Sequence, residues 1–179
     1  MRKFAGVLLA GAMLVPVGMI ATQAGAAAAT PTCKSVSGTA TFSPVLPKIG
    51  STATVKSAIN IKGAKLTGCT GGGVTGGTVG AALKFGVASN CSSVAKGATA
   101  KITGTVTIVW NTKASSTAKV TLTGVTGNPT KQTIAGSIST GLFKGSKLSV
   151  LTQYTLGTSC TKTGLASVPF KSVGALTIK

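Results

Sequence analysis

Apolar and polar residues alternate along most of this chain. The clearest case is 100–111, AKITGTVTIVWN, where Ile102, Val106, Ile108 and Trp110 fall on alternate positions with Gly104 in the same row. Lys101, Thr103, Thr105 and Thr107 fill the opposite row. A repeat of two marks a β-strand with one buried face. The stretch also carries the only Trp, a large apolar body, and is read as a central strand that the others pack around. Similar rows recur. Val55, Ile59 and Ile61 alternate with Thr54, Lys56, Asn60 and Lys62, and Val79, Ala81, Leu83, Phe85 and Val87 leave Lys84 on the other side. Ala118, Val120 and Leu122 alternate with Lys119, Thr121 and Thr123, and Leu148, Val150, Tyr154 and Leu156 make a further row. Shorter strands are expected at 64–69, 165–170 and 173–178, and around Ile134 and Ile138 with Gly136 between them. No long window repeats apolar residues at 3.6, so no helix is predicted.

The breaks between rows set the architecture. Residues 32–50 read as an entry segment with a short strand at 40–42, because Pro44 and Pro47 bracket Val45 and Leu46 and demote them to an edge or loop. Gly63 reads as a turn. The glycine-dense 71–77 reads as a hairpin loop. A phosphate cradle would need a helix after it and a Lys-Ser or Lys-Thr pair to close it, and neither is present. Loops or turns are expected at 89–98, 111–116, 125–131 and 141–147, and around Cys160. About eight to ten strands at this spacing predict an all-β, single-domain antiparallel β-sandwich, Ig-like or related. A closed β-barrel is the alternative, which periodicity does not separate from it.

The first residues change the compartment. Arg2 and Lys3, the apolar run 7–20 and the small residues 24–27 have the form of a secretory signal peptide over 1–27. The β domain then occupies 28–179. Four cysteines remain, Cys33, Cys69, Cys91 and Cys160, and an even count in an exported chain points to two disulfides. Three pairings are possible. Cys33–Cys69 with Cys91–Cys160 is favoured, because the first closes an N-terminal unit and the second ties the middle of the chain to the last strands. A zinc site lacks both the Cys spacing and any His.

Charge then narrows the chemistry. The chain has 18 Lys and Arg and no Asp, Glu or His. Loss of Arg2 and Lys3 with the leader leaves only lysines. Side-chain ion pairs are impossible, so the fold rests on burial, backbone hydrogen bonds and disulfides. Lysine also commonly guards open sheet edges, a role expected here. With no side-chain carboxylate or His to titrate, stability is expected to stay nearly flat from about pH 3 to pH 8.

Acid–base catalysis, metal binding and activation of Ser or Cys draw on the residue types this chain lacks. A Ser–Lys pair is the formal exception. Its candidates, Lys34-Ser35, Lys56-Ser57 and Ser146-Lys147, are adjacent and would point to opposite strand faces. No enzymatic activity, cofactor or metal is therefore expected. Lys56, Lys62, Lys84, Lys101 and Lys119 sit in polar rows. They form either a solvated face or an electrostatic surface for anionic envelope polymers such as teichoic acids, acidic polysaccharide, anionic lipid or extracellular DNA. Specific nucleic-acid recognition is not expected, since no Arg survives cleavage and the aromatics lie mostly in apolar rows. The expected function is a secreted, basic, non-enzymatic surface protein that is structural or adheres weakly to such polymers. A soluble module for a protein or glycan partner is one alternative. A membrane β-barrel pore is another, although stable membrane insertion is not expected.

One sequence likeness extends over most of the mature chain. Cys33, Gly68-Cys69-Thr70-Gly71, Cys91, Thr107-Ile108-Val109-Trp110, Gly141-Leu142-Phe143-Lys144-Gly145 and Cys160, in that order, resemble a group of small secreted β proteins from high-GC Gram-positive bacteria. The resemblance implies export and an all-β fold. It carries no activity and no site residues.

Overall fold

The computed structural model describes residues 29–96 and 101–179. The leader at 1–27 and the last two residues of the 89–98 loop lie outside them. Nine strands form among the described residues: β1 (Thr32–Leu46), β2 (Ala58–Thr70), β3 (Gly76–Phe85), β4 (Ile102–Trp110), β5 (Ser115–Val125), β6 (Asn128–Gly141), β7 (Lys147–Tyr154), β8 (Leu165–Ser172) and β9 (Leu176–Ile178). Two short helices, α1 (Cys91–Ala95) and α2 (Ser159–Lys162), lie in the connections.

Every strand from β2 to β7 pairs antiparallel with the next, and β1 pairs with both β2 and β8. That closes the ring. After a break, β9 continues the line of β8 and fills the rest of the same slot, between β7 and β1. The protein is therefore a closed eight-strand antiparallel barrel with an extra strand. The sandwich expected from the sequence is not found, and the barrel alternative is. Alternation shows which side of a strand is buried. It reads the same whether that side meets a second sheet or the axis of a barrel.

Two glycines show how the sheet curls. Gly104 and Gly136 lie in the inward rows of β4 and β6, each opposite Val120 of β5. A Cβ on Gly104 would fall 2.7 Å from Leu83 Cα, and one on Gly136 would fall 2.9 Å from Val120 Cα. Real side chains do not come so close to backbone. The missing Cβ lets neighbouring strands approach and bend at these points. Closure also removes the free edges, so the lysines have no edge to guard. A ring has no central strand either, and Trp110 sits at one end of the barrel.

Several boundaries differ from the expected ones. The segment 32–50 is not an entry loop, because β1 runs for 15 residues through it. Pro44 is accommodated where the pairing with β8 is interrupted, between Thr41 and Leu46, so its missing N–H costs no ladder bond there. Beyond it, Leu46 is fully buried opposite Leu165. Gly63 is not a turn. Its positive φ of 64° accommodates a bulge, and β2 continues to Thr70. The loop at 125–131 shrinks to the two residues 126–127, which extends β6 to 14 residues. The helices escape sequence reading because four or five residues are too few for a 3.6 repeat to show.

The two ends of the barrel differ. At one end, Trp110 plugs the interior. Its Nε1–H donates to Ser116 Oγ at 2.9 Å, the Ser116 hydroxyl donates to Leu142 O at 2.5 Å, and Phe143 meets the indole edge-on with centroids 5.5 Å apart. Cys33–Cys69 joins direct cross-strand partners of β1 and β2 near this end. At the other end, Cys91–Cys160 ties α1 to α2. These are the two pairs favoured from the sequence, and they fit an oxidising or extracellular compartment. Among the described residues no helix is long and apolar enough to cross a membrane.

Candidate functional site

The outer surface carries the lysines. Of the sixteen described, fifteen are exposed and Lys131 is half-buried. Lys84, Lys101 and Lys119 lie outside β3 to β5, Lys62 lies at the β2 bulge, and Lys56 lies in the loop before β2. Lys84 faces Thr103 across the β3–β4 pair, which puts it beside Lys101, two residues earlier on that side. Lys119 is opposite Thr105 and sits at a shallow outer depression lined by Thr103, Thr121, Ala135 and Ser137. The structure thus brings Lys84 and Lys101 together, with Lys56 on the other flank of β3 two residues before Ala58, the partner of Lys84, and leaves Lys62 and Lys119 apart.

Strand register reveals a tighter arrangement that uses none of these five. Lys65 on β2 pairs with Ser37 on β1, Ser37 with Lys171 on β8, Lys171 with Gln153 on β7, and Gln153 with Lys131 on β6. Lys65, Lys171 and Lys131 therefore share one cross-strand row at every second strand. Neighbouring strands are about 4.8 Å apart, so successive lysines of the row are roughly 10 Å apart. That is about one Debye length at 0.1 M salt, so an extended anion would feel them jointly. Sequence reading misses the row because it exists only once β1 is paired to β8 and β8 to β7. No local pattern signals it.

No family model, curated protein or solved structure matches the chain. The site therefore rests on its own chemistry.

Inside, at the α1 end, the barrel is not filled. A partly open space of about 80 Å³ lies between inward residues of all eight ring strands, with Ser93 and Val94 of α1 over it. Leu83, Phe85, Ile102 and Leu122 are buried walls. Eight-stranded barrels are just wide enough either to fill with side chains or to leave a small internal space, and here the Trp110 end is filled while the α1 end is not. The apolar rows behind this wall were visible in the sequence. Their convergence on one space was not.

The hydroxyls of that chamber are already committed. Tyr154 Oη lies 2.5 Å from Pro129 O and 3.2 Å from Val94 O, so its O–H is used on the backbone of β6 and α1. Thr152 Oγ1 donates to Gln132 O and Ser89 Oγ donates to Val87 O. Asn90 caps α1, accepting from Ser93 N at 3.0 Å and from the Ser93 hydroxyl at 3.2 Å. Among the described residues no buried side-chain N or O lacks a partner.

Burial pushes the Tyr154 phenol above its ordinary 10.0, with Gln132 beside it opposing the shift. The folded state thus holds this proton at a pH where the unfolded chain has lost it. The contribution is complete below about pH 10 and is lost as pH rises through the folded value. Thermal unfolding should therefore give a plateau from about pH 3 to pH 8 and then a fall above about pH 10. Tyr154 is the only tyrosine, so phenolate absorbance reads it alone. Its midpoint is expected above 10.0 in the folded protein and near 10.0 after denaturation.

Proposed function

We propose that this is an exported, non-enzymatic barrel that adheres to anionic polymers of the cell envelope through its lysine exterior. The observation that carries the reading is the row Lys65–Ser37–Lys171–Gln153–Lys131, which no side-chain carboxylate interrupts. The form of residues 1–27 supports export, and the two disulfides fit it. The lack of His, Asp and Glu supports a non-enzymatic role. The distribution of polarity argues against the membrane-pore alternative. A lipid-facing barrel turns an apolar band outward, whereas here the apolar rows point in and the lysines point out.

Sedimentation with isolated cell envelope across a salt series tests the proposal. Binding is expected to weaken linearly in log–log form as salt rises and to be lost by about 1 M. Replacing Lys65, Lys131 and Lys171 together by Gln should flatten the slope by roughly two to three, close to one per ion contact. The same change at three scattered lysines, Lys56, Lys62 and Lys119, should flatten it less. Binding that survives high salt unchanged, or equal effects of the two triple variants, would refute the row as the contact.

A further inference from the structure

We infer that the chamber beneath α1 is a binding site for the alkyl end of a medium-chain carboxylate, taken tail first. Three observations lead there. The first is composition. The hydroxyls of Tyr154, Thr152, Ser89 and Ser93 are spent on the protein itself, so the surface left for a ligand is mainly hydrocarbon, including the ring pair Phe42 and Phe85 with centroids 6.3 Å apart, with the half-buried Gln132 amide at its α1–β6 side. An apolar space of this kind stays dry and gains from any alkyl group that fills it.

The second observation is size. About 80 Å³ is near half of the roughly 150 Å³ that admits benzene. On the scale on which about 150 Å³ holds the six carbons of benzene, it takes about three carbons of a chain and excludes a ring. The way in lies on the α1–β6 side. Val94, Gln132 and Ile134 line the space but are only half-buried and Pro129 of β6 is exposed, while Leu83 of β3 and Ile102 of β4 are buried. The remaining carbons then leave between α1 and β6, and the headgroup stays outside.

The third observation is charge. The exterior that receives this headgroup carries lysines and no side-chain acid. Its field favours a carboxylate over an ammonium wherever the entrance is crossed. The occupant is thus an unbranched anionic amphiphile, bound by its tail inside and by the general positive field outside.

Titration of the natural-length exported chain with sodium octanoate, followed by methyl NMR, tests this. Methyl signals of Ile59, Ile61 and Leu83 should shift, and those of Leu66, Ile108 and Ile138 towards the Trp110 end should not. Along the series from butanoate, affinity should rise about fourfold per methylene and level off once roughly three are enclosed. Octylammonium should bind at least tenfold more weakly at low salt. Ile134→Trp, which fills the chamber, and Val94→Trp, which blocks the entrance from α1, should each abolish the shifts. Methyl spectra of the two variants check that the barrel is intact, and either intact variant suffices for the test. No shift with octanoate, shifts that persist in an intact filled variant, or octylammonium binding as tightly as octanoate would each overturn the assignment.

Discussion

Reduction of both disulfides is expected to lower the melting temperature by roughly 15–30 °C, or to leave the chain unfolded at ambient temperature. The loops closed by Cys33–Cys69 and Cys91–Cys160 are 36 and 69 residues long. In the chain-entropy model each contributes roughly 4 kcal/mol. Domains of this size keep about 5–15 kcal/mol in total, and one kcal/mol moves the melting temperature by about 2–4 °C. This chain also lacks side-chain ion pairs to offset the loss. The two bridges should differ in where the damage appears. Replacing Cys91 and Cys160 by Ala releases α1 from α2 and should speed amide exchange around α1 and Tyr154. Replacing Cys33 and Cys69 should instead loosen the β1–β2 pair near the Trp110 end. Thermal scans with and without reductant, beside the two double variants, check both points. A combined loss below about 5 °C would mean that the bridges contribute little.

Gly136→Ala is expected to cost about 3 kcal/mol or more, and Gly104→Ala a similar amount. In both cases the new methyl meets backbone rather than the flexible end of a side chain. At Gly136 it would press on Lys119 O and Val120 Cα, and at Gly104 on Ala82 O and Leu83 Cα. Relief requires the strands to part, which opens the sheet where the barrel turns. Gly157 is the control. Its Cβ would meet nothing within 4 Å, so Gly157→Ala should stay within about 0.5 kcal/mol of the parent. Denaturant unfolding of the three variants checks the ordering. An Ala at 136 or 104 as harmless as one at 157 would show that these close approaches do not set the curvature.

Much of the fold was legible in local alternation. The rows Ile102–Trp110, Ala118–Leu122 and Leu148–Tyr154 face inward as their period requires, because a strand's two faces are set by the pleat alone. The disulfide pairs and most of the loops were also readable. Closure was not. It depends on which strands meet, and the last pairings join β1 to β2 and to β8, more than a hundred residues apart in the latter case. Gly104 and Gly136 stood in apolar rows from the start. A glycine in such a row reads equally as a weak strand position or as a bend, and only the opposing backbone distinguishes them.

Proline misled at Pro44 for a related reason. The rule that demotes a proline-bearing segment assumes a continuous ladder, and the β1–β8 pairing is broken just there. The candidate site was legible in kind and not in place. A lysine exterior and apolar interior rows could be read from alternation. The three lysines that align, and the residues that enclose the chamber, are set by cross-strand register, which no single stretch of chain encodes.

The claim on which the rest depends is that the sheet closes on itself. Cross-strand nuclear Overhauser contacts of β1 test it most directly. Thr41 should contact Asn60 of β2 on one side and Ser167 of β8 on the other. The chain of such contacts should run unbroken from β2 through β8 and back to β1. A strand among these eight with contacts on one side only, its outer amides exchanging freely, would contradict closure and leave an open sheet.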